Sequence, residues 1–450
     1  MSKEASKWKG LGSWLSPASR WLALPAFAIA AALAAPPPAK AAIPCTPPGL
    51  TTFNLTTDKG YISTPDGNSV YMWSYRRTTL GSNFQIPSPV LCVTQGQTVT
   101  INLTNPASTG LLSSGLPEAT SLVFPGQTNV QTFGGKPGLF ANEIGPGPGT
   151  VTYRFVASQP GTYLYESGTN PHKQVHMGLY GVLIVRPSAA ANRAYTDPDT
   201  VFDASQEYLV LIHEIDPELH QAVEQGETYD ATIMHDRYWT INGRSFPDTI
   251  LPNNAITLPD QPYSALVTVD EVPCAVPGSG LGCTPATGTA NRPALIRYAN
   301  AGMVNHPFHP HGNHLRVIAR DGRLLGGAGG TGIPAVAAME AFTKTIGSGQ
   351  TYDLLVRWVN EQEFDPTLNQ VPVTIPDLQN LKFKDDVTWY SGSPYLGVQD
   401  DLPPTTTSFN ECGELYYPWH SHALNEFQNF DEGFGGLATL FRVDPTGGCP

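Results

Sequence analysis

Polar and apolar residues alternate in short runs along much of the chain. In Thr98–Leu103 and Thr150–Phe155 every second residue is apolar, and Gly181–Val185 is apolar throughout. Alternation with period two is typical of strands with one buried face, and a short apolar run is typical of a strand buried on both faces. Turn residues separate these runs. The pattern predicts one antiparallel β-sandwich over residues 45–187.

A second β-rich stretch covers residues 200–445 and follows a linker at Ser188–Thr200. It is long for one sandwich, and two of its segments have the composition of loops. Gly322–Pro334 is rich in glycine, and Asn360–Glu411 is rich in Pro, Asp and Asn. We therefore predict a second sandwich with long insertions. A remnant of a middle domain around residues 200–270 stays open as the alternative.

The composition agrees with an all-β chain. Among the 450 residues there are 44 glycines and 42 prolines, and only 14% of the residues are charged. This balance favours turns and strands over long helices. The length corresponds to two or three domains of roughly 100 to 200 residues each, and we expect two.

Residues 1–41 have the features of a secretory signal. Basic residues precede the apolar run Leu22–Ala35, and Ala39-Lys40-Ala41 offers a cleavage site between small residues. A membrane anchor is the weaker alternative, because a spanning helix needs about 20 apolar residues. The sequence predicts a protein that is secreted, in the periplasm or the extracellular space, with no membrane partner after signal cleavage.

The chain is acidic, with 25 Lys and Arg against 38 Asp and Glu and a formal net charge of −13. Residues 1–41 carry mostly basic charges, so the mature chain is more acidic still. An acidic surface repels nucleic acid and anionic lipid, and it favours cationic partners or metal ions. No nucleic-acid partner is therefore expected.

The six cysteines all follow residue 41. An even number in an exported chain indicates disulfides. Nearness in sequence favours the pairs Cys45–Cys92, Cys274–Cys283 and Cys412–Cys449 among the pairings that six cysteines allow. Thiolate metal ligands are the alternative, but none of the cysteines lies beside a histidine cluster.

Two short windows hold the strongest candidates for metal ligands. The first is His306-Pro307-Phe308-His309-Pro310-His311-Gly312, and the second is His420-Ser421-His422. Residues two apart on a strand face the same side, so each window points a pair of imidazoles in one direction. Two such pairs could surround one or two ions of copper, zinc, nickel or iron. Histidines without a metal are the alternative, and the paired spacing favours the metal site.

Both windows resemble copper motifs of the multicopper oxidases, the group of laccases and bilirubin oxidases. His306-Pro307-x-His309-x-His311-Gly312 is similar to their third motif, and Trp419-His420-Ser421-His422 occupies the place of the fourth, His-Cys-His. The resemblance spans roughly residues 80–445 and includes the framework runs Gly161–Tyr165, Met177–Val185 and Ile241–Pro247. It implies two cupredoxin-like Greek-key β-sandwich domains, the second with long insertions.

In this family four motifs supply eight histidines to a trinuclear copper cluster, and a blue copper held by two histidines and a cysteine receives electrons from the substrate. Matched residue by residue, His309 falls at a ligand of the mononuclear copper of the cluster. His311 and His420 share one copper of the binuclear pair, and His422 serves the other. His306 corresponds to a ligand of the blue copper.

The other family ligands are missing. Val123-Phe124-Pro125-Gly126 and Glu166-Ser167-Gly168 stand where the first and second motifs have histidines, which leaves one carboxylate, Glu166. Ser421 replaces the cysteine, and a hydroxyl does not replace a thiolate on copper. The resemblance therefore implies one or two copper ions, fewer than the four of the family, and no blue copper. The expected metal ligands are His306, His309, His311, His420, His422 and Glu166.

Other histidines and carboxylates have weaker signals. His172 and His176 are predicted as exposed loop histidines rather than additional ligands. Glu426 and Glu432 are predicted as a solvated acidic loop, with oxygen ligation as the alternative. His314, beside the third motif, is a candidate for orienting the ligands. No recognisable spacing joins the remaining three, which are His213, His220 and His235.

We expect a secreted copper-binding protein of the multicopper-oxidase type, and an oxidoreductase that acts on a small molecule or a metal ion without blue copper. A non-catalytic metal-binding or scaffold protein is the alternative, because function resides in the site rather than in the fold. Two-domain members of the family complete their copper cluster between subunits. The resemblance therefore implies a homo-oligomer, a trimer by analogy.

Overall fold

Strands make up most of the secondary structure in the computed structural model. Within the residues it describes, no helix is long and apolar enough to cross a membrane. The signal predicted at residues 1–41 lies outside them, as does most of the predicted insertion Asn360–Glu411. The described part of the chain comprises residues 43, 45, 49–78, 83–110, 114–188, 192–275, 285, 287–326, 338–360, 381–382, 388–389, 414–433 and 435–449.

The first half of the fold contains the short helix α1 (Pro171–Gln174) and the strands β1 (Thr52–Ser63), β2 (Ser69–Arg77), β3 (Leu91–Thr94), β4 (Thr98–Thr104), β5 (Gln131–Phe133), β6 (Lys136–Pro137), β7 (Asn142–Glu143), β8 (Val151–Val156), β9 (Gly161–Glu166) and β10 (Tyr180–Arg186). They form a five-stranded sheet in the order β2-β1-β4-β8-β5 and a three-stranded sheet in the order β3-β10-β9. The strands β6 and β7 form a separate pair.

The second half contains the helix α2 (Pro217–Gln225) and the strands β11 (Glu207–Ile215), β12 (Tyr238–Ile241), β13 (Val267–Asp270), β14 (Ala294–Asn300), β15 (His306–Pro310), β16 (Leu315–Arg320), β17 (Arg323–Leu324), β18 (Met339–Ala341), β19 (Lys344–Ile346), β20 (Thr351–Val356), β21 (Leu381–Lys382), β22 (Thr388–Trp389), β23 (Leu415–Ser421), β24 (Gln428–Asn429), β25 (Glu432–Gly433) and β26 (Ala438–Asp444). Short 3₁₀ helices lie at Pro198–Thr200, Ala231–Ile233, Asp248–Ile250, Gly288–Asn291 and Leu424–Glu426.

Two large sheets organise the second half. One follows the order β17-β16-β20-β14-β11-β12-β24-β25, with β18 paired to β16, and the other follows the order β13-β26-β23-β15-β19. Strands β11 to β13, from the segment considered above as a remnant of a middle domain, lie in these same two sheets. The second sheet is the one that carries both histidine windows.

The all-β prediction is confirmed, but the prediction of an antiparallel sandwich over residues 45–187 is wrong, and both halves contain parallel pairs. Strand β4 alternates buried with less buried residues along its length, as its sequence predicts. However, β1 pairs in parallel with β4, β10 with β3, β11 with β14, and β13 with β26. Parallel neighbours require crossover connections between distant segments. Local alternation does not report these connections, so the sequence pattern could not distinguish the two kinds of pairing.

Each half has its own core of large apolar side chains, and the second core holds the histidine strands in place. Trp419, the residue before His420 on β23, is completely buried and stacks on Phe441 with 4.8 Å between the ring centres. Phe308, the residue before His309 on β15, is also completely buried. Burying a large apolar side chain stabilises the fold by about 1.5–3 kcal/mol. These anchors determine which way the neighbouring histidines point.

A buried ion network joins the two halves. Arg297 on β14 is completely buried, and its guanidinium donates to Glu207 at 2.7 Å and to Thr162 on β9 at 2.9 Å. Asp353 on β20 accepts from Thr162 and from Arg297. Burial opposes ionisation of Glu207, but Arg297 and Arg186 hold the pKa of Glu207 below its usual value. Breaking a buried pair of this kind costs about 3–5 kcal/mol, so the network fixes the contact between the halves.

Cys45 and Cys92 form a disulfide, which confirms the first predicted pair. It ties the segment before β1 to β3. The other two predicted pairs remain predictions, because Cys283 and Cys412 lie outside the described residues. Their expected partners, Cys274 and Cys449, are themselves disulfide-bonded.

Candidate metal centre

Strand pairing brings the two histidine windows together. Strands β15 and β23 are antiparallel neighbours, and His309 lies directly opposite His420 in their register. Side chains alternate between the two faces of a sheet. His309, His311, His420 and His422 therefore emerge on one face, and His306 and Ser421 emerge on the other.

Four imidazole rings form a cluster on the first face. His311 Nε2 lies 3.1 Å from His420 Nε2. The centre of the His309 ring lies 4.8 Å from that of His311, 5.6 Å from that of His420 and 5.0 Å from that of His422. His422 is exposed and the other three rings are partly exposed. The cluster therefore opens toward solvent.

Hydrogen bonds to the outer ring nitrogens orient two of these imidazoles. His420 Nδ1 lies 2.7 Å from the Ser421 carbonyl oxygen, which can only accept, so Nδ1 carries the hydrogen. In the neutral ring the lone pair is then on Nε2, the atom that faces His311. His309 Nδ1 contacts the Thr343 hydroxyl at 2.6 Å. Metal-binding histidines usually have such partners on the nitrogen that does not bind the metal.

The protein environment disfavours protonation of three of the four imidazoles. Burial and the three neighbouring rings lower the pKa of His309 to about 4. Burial also lowers the pKa values of His311 and His420, and the surrounding imidazoles add to the shift. Neutral imidazole is the form that binds a metal ion. At neutral pH the ring nitrogens are therefore available as ligands.

The distances in the cluster fit a first-row transition metal. Two imidazole nitrogens that each lie about 2.0–2.1 Å from one tetrahedral ion are about 3.3 Å apart. The 3.1 Å between His311 Nε2 and His420 Nε2 is close to that separation. Imidazole suits copper among other metals. The donor set therefore fits a copper ion shared by His311 and His420, which is the arrangement that the motif resemblance implies.

His306 lies apart from this cluster, in a closed pocket on the other face of β15. The ring is completely buried, with Nδ1 2.8 Å from Glu426 Oε2 and Nε2 3.2 Å from Glu214 Oε2. Burial alone would lower the pKa of His306, but the hydrogen bonds and charges of the two carboxylates raise it to about 9. Burial also opposes ionisation of Glu214, and the hydrogen bond from His306 nevertheless lowers its pKa to about 2. At neutral pH His306 is an imidazolium between two carboxylates.

Ser421 completes the pocket at the position of the missing cysteine. Its hydroxyl donates to Glu426 and accepts from the backbone amide of Ala423 at 3.2 Å. Glu426 is 5% exposed, so its prediction as part of a solvated loop is wrong, whereas Glu432 is exposed as expected. Both nitrogens of His306 donate to carboxylates and have no lone pair to offer. The pocket therefore does not fit a blue copper.

Glu166 lies at the end of β9, in the first half of the fold. Its backbone pairs with that of Val123, so the positions that correspond to the first and second family motifs are neighbours in space. Burial raises the pKa of Glu166 to about 7. Among the described residues, the group close enough to share one metal ion is His309, His311 and His420, without Glu166. The structure therefore does not bring Glu166 to the cluster within one chain.

Some residues of these sites had little signal in the sequence. Glu214 reaches His306 from β11, and Thr343 reaches His309 from the segment before β19. Glu214 is one of two glutamates in the largely apolar strand β11, and this placement was the available hint. His314 is exposed and its ring lies 5.8 Å from that of Phe342, which also contacts His309. The expected orienting role is therefore indirect at most.

Comparisons with known proteins agree with the motif resemblance. A family model described as multicopper oxidase matches residues 66–190. A copper resistance protein A homolog of Pseudomonas syringae pv. tomato is 33% identical over 178 residues, which cover 39% of this chain and 23% of that protein. The iron transport multicopper oxidase fetC of Epichloe festucae is 30% identical over 158 residues, 35% of this chain and 22% of that protein. The chain thus matches less than a quarter of the length of these curated relatives.

Solved structures extend the similarity to the whole fold. A blue copper oxidase from Nitrosomonas europaea has a TM-score of 0.53 at 19% identity, covering 88% of this chain and 86% of that chain. The multicopper oxidase mgLAC has a TM-score of 0.53 at 17% identity, covering 87% and 86%. At such identities the likeness establishes the cupredoxin-type β-sandwich fold alone. The likeness to multicopper oxidases in sequence therefore rests on residues 66–190 and on the segments that the curated relatives match.

Proposed function

We propose that this protein is a secreted copper-binding protein in which His309, His311, His420 and His422 hold one or two copper ions. The 3.1 Å approach of His311 Nε2 to His420 Nε2 carries the proposal. Because His420 Nδ1 donates to a carbonyl, its Nε2 lone pair faces the second ring, and a shared cation satisfies both nitrogens. Similarity to multicopper oxidases and to a copper resistance protein supports copper as that cation.

Two of the six ligands expected from the sequence are left out of the proposed set of a single chain. His306 is engaged on both nitrogens by Glu214 and Glu426. Glu166 lies in the first half and is not part of the group close enough to share an ion. We propose that Glu166 joins the site only when a neighbouring subunit presents it, as in a trimer. Size determination with and without copper tests this, and a copper-loaded monomer with unchanged affinity in Glu166→Gln contradicts it.

A second candidate function is oxidation of a small molecule or a metal ion at the bound copper. The exposure of the cluster favours it, because His422 is exposed and the other rings are partly exposed, which gives a substrate access. Bound copper would supply one-electron redox chemistry. The four imidazoles would hold the ion, while Thr343 and the Ser421 carbonyl orient two of the rings. No electron entry through blue copper is proposed, since the His306 pocket does not fit that metal.

The proposal of a secreted protein rests on two features. Residues 1–41 have the sequence of a secretory signal, and Cys45 and Cys92 form a disulfide. Disulfides persist in oxidising compartments such as the periplasm and the extracellular space. N-terminal sequencing of the protein from the culture supernatant and the periplasmic fraction tests it, with a mature start near residue 42 as the expected result.

Metal analysis of the purified protein tests copper binding. Protein stripped with a chelator, reloaded with Cu²⁺ and dialysed is expected to keep one or two coppers per chain, with an electron-spin signal and without intense blue absorption. The double variant His311→Ala, His420→Ala is expected to lose at least one equivalent. His172→Ala, at an exposed histidine outside the cluster, is the matched control. Unchanged copper content in the double variant would contradict the site.

Measuring oxygen consumption distinguishes an oxidase from a non-catalytic copper-binding protein. Copper-loaded protein is assayed with phenols and with reduced metal ions, beside the same double variant. Uptake that disappears in the variant supports oxidation at the cluster. Copper retention without oxygen uptake leaves a non-catalytic copper-binding protein and rejects the second candidate function.

A further inference from the structure

A group of buried histidines lies where the two halves of the fold meet. His176 follows α1 in the first half, His213 is on β11, and His220 is on α2. Each is 1% exposed. His176 was predicted to be an exposed loop histidine, and that prediction is wrong, whereas His172 is exposed as expected. We refer to the contact of residues 171–178 with β11 and α2 as the joint.

Two of these rings belong to a chain of hydrogen bonds that crosses between the halves at every step. His176 Nε2 lies 3.0 Å from Asp236 Oδ1, and His220 Nδ1 lies 2.6 Å from the Tyr71 carbonyl oxygen. The inner nitrogens, His176 Nδ1 and His220 Nε2, are 3.3 Å apart. Oxygen acceptors stand at both ends, so His220 donates to Tyr71 and accepts from His176. The chain therefore runs from an imidazolium at His176, paired with Asp236, to a neutral His220.

A proton added to His220 breaks this chain. The lone pair on His220 Nε2 accepts from His176, so protonation at Nε2 removes that hydrogen bond and places two cations side by side in a buried position. Burial holds the pKa of His220 well below its usual value, and the neighbouring His176 adds to the shift. His220 therefore stays neutral for as long as the joint is closed.

His213 gives the joint a second neutral ring. It stacks on Tyr180 of the first half with 4.5 Å between the ring centres, and its ring centre lies 5.6 Å from that of His176. In the described part of the chain, neither ring nitrogen of His213 has a hydrogen-bond partner of good geometry. Burial lowers the pKa of His213 to about 3, and the neighbouring His176 adds to the shift. His213 is therefore also neutral in the closed joint.

The charged groups around the joint do not compensate a proton on either ring. Glu214 favours a proton on His213, but its carboxylate is already bonded to His306, whose charge opposes one. Other titratable groups on α1 and α2 are exposed, as are His172 and Glu218, or engaged elsewhere, as are Lys173 with Glu118, Glu224 with Tyr61, and Asp216 with Tyr229. A proton on His213 or His220 is therefore favoured only after the joint opens to water.

We propose that the joint is an acid-sensitive switch, in which His213 and His220 take up protons when residues 171–178 separate from β11 and α2. Each ring that is neutral when closed and protonated when open multiplies the opening equilibrium constant by about ten for each pH unit below about 6.5. With two such rings, the increase is about a hundredfold per unit. His176 carries its proton in both forms and does not contribute. The switch does not depend on copper binding at the four-histidine cluster.

Hydrogen exchange of the full chain measures this opening. The backbone amides of Met177, Leu179 and His220 report on the joint, because each donates to a carbonyl within it, and the amides of the β4–β8 pair report on the rest of the fold. From pH 5.5 to pH 4.5, after correction for the intrinsic exchange rate, protection at the joint is expected to fall about a hundredfold and to stay below that of β4 and β8. A fall of less than about tenfold, or equal protection in both regions at pH 4.5, would overturn the proposal.

The variant His213→Phe then tests the assignment without removing a hydrogen bond of good geometry. It keeps a flat ring against Tyr180 and removes one group that takes up a proton, so protection at the joint is expected to fall only about tenfold over the same pH unit. His172→Gln, at an exposed histidine of α1, is the matched control and should keep the hundredfold fall. An unchanged hundredfold fall in His213→Phe would overturn the proposal. If that variant fails to fold, the comparison of the two regions in the unsubstituted chain still decides.

Discussion

The two faces of the β15–β23 strand pair place their histidines in different chemical environments. On one face the cluster histidines are partly exposed, and His311 and His420 turn nitrogens toward each other at 3.1 Å. On the other face His306 is completely buried and both of its nitrogens donate to carboxylates. The first arrangement leaves nitrogen lone pairs for a metal ion, and the second engages both ring nitrogens with charged partners.

The comparison shows that a histidine motif does not define a metal site without its surroundings. His306 and His309 are three residues apart in one motif, yet the pKa of His306 is raised to about 9 by its carboxylates and the pKa of His309 is lowered to about 4 by burial and its neighbouring rings. One ring is a cation at neutral pH and the other is neutral.

Removing a carboxylate from the closed pocket is expected to have the largest effect. Glu214→Ala leaves the buried His306 imidazolium with one partner and frees the backbone amides of Met303 and Val304, which donate to Glu214. The free energy of unfolding is expected to fall by about 3–5 kcal/mol. Urea unfolding of the metal-free protein measures it, with Glu432→Ala at an exposed position as the control. A loss below about 1 kcal/mol would mean that the pocket does not depend on its charges.

The His306 pocket is expected to make the free energy of unfolding depend on pH. His306 has a folded-state pKa of about 9 against about 6.5 when unfolded, so its stabilising contribution is complete below pH 6.5 and is lost as the pH rises through 9. The shift corresponds to about 3 kcal/mol. Unfolding of the metal-free protein at pH 6.5 and pH 9.5 measures it, and His306→Gln is expected to flatten the difference. An equal slope in both proteins would place the titrating group elsewhere.

The sequence predicted the four-histidine cluster better than the buried pocket of His306. Period-two spacing within each window was enough to pair His309 with His311 and His420 with His422, because that relation is local. The partners of His306 come from β11 and from a loop after β23, and no local pattern links such distant positions. Glu426 was assigned to a solvated loop since most glutamates are exposed, and only tertiary folding buries it against Ser421.

Tertiary contacts also explain the wrong prediction for His176 and the parallel strand pairs. His176 was predicted as an exposed loop histidine, but it is buried, and its Nδ1 lies 3.3 Å from Nε2 of His220, a residue with which it shares no recognisable spacing. The pairing of β1 with β4 likewise depends on a crossover that alternation does not encode. Strand positions and the all-β class depend on short-range patterns, and for that reason they could be predicted.

A substitution beside the four-histidine cluster is expected to lower the Cu²⁺ affinity rather than the stability of the fold. Thr343→Val keeps the side-chain volume and removes the hydroxyl at His309 Nδ1. Loss of such an orienting partner lowers metal affinity by about 10- to 100-fold. Competition with a chelator measures the Cu²⁺ affinity, and Thr345→Val, at an exposed position on β19, is the matched control. Equal affinities for the two variants would show that Thr343 does not orient His309.

The smallest effect is expected from removing a cluster histidine in the absence of metal. His309 is partly exposed, and in the described part of the chain the one hydrogen bond of its ring goes to Thr343, so His309→Ala should change the free energy of unfolding by less than about 1 kcal/mol. If the rings were instead joined by shared protons that stabilise the metal-free fold, the loss would approach that of Glu214→Ala. Urea unfolding of both variants in excess chelator distinguishes the two cases. A small loss of unfolding free energy in His309→Ala that becomes large once copper is added would show that the bound ion stabilises the four-histidine cluster. The His306 pocket, in contrast, is stabilised by its own charged residues.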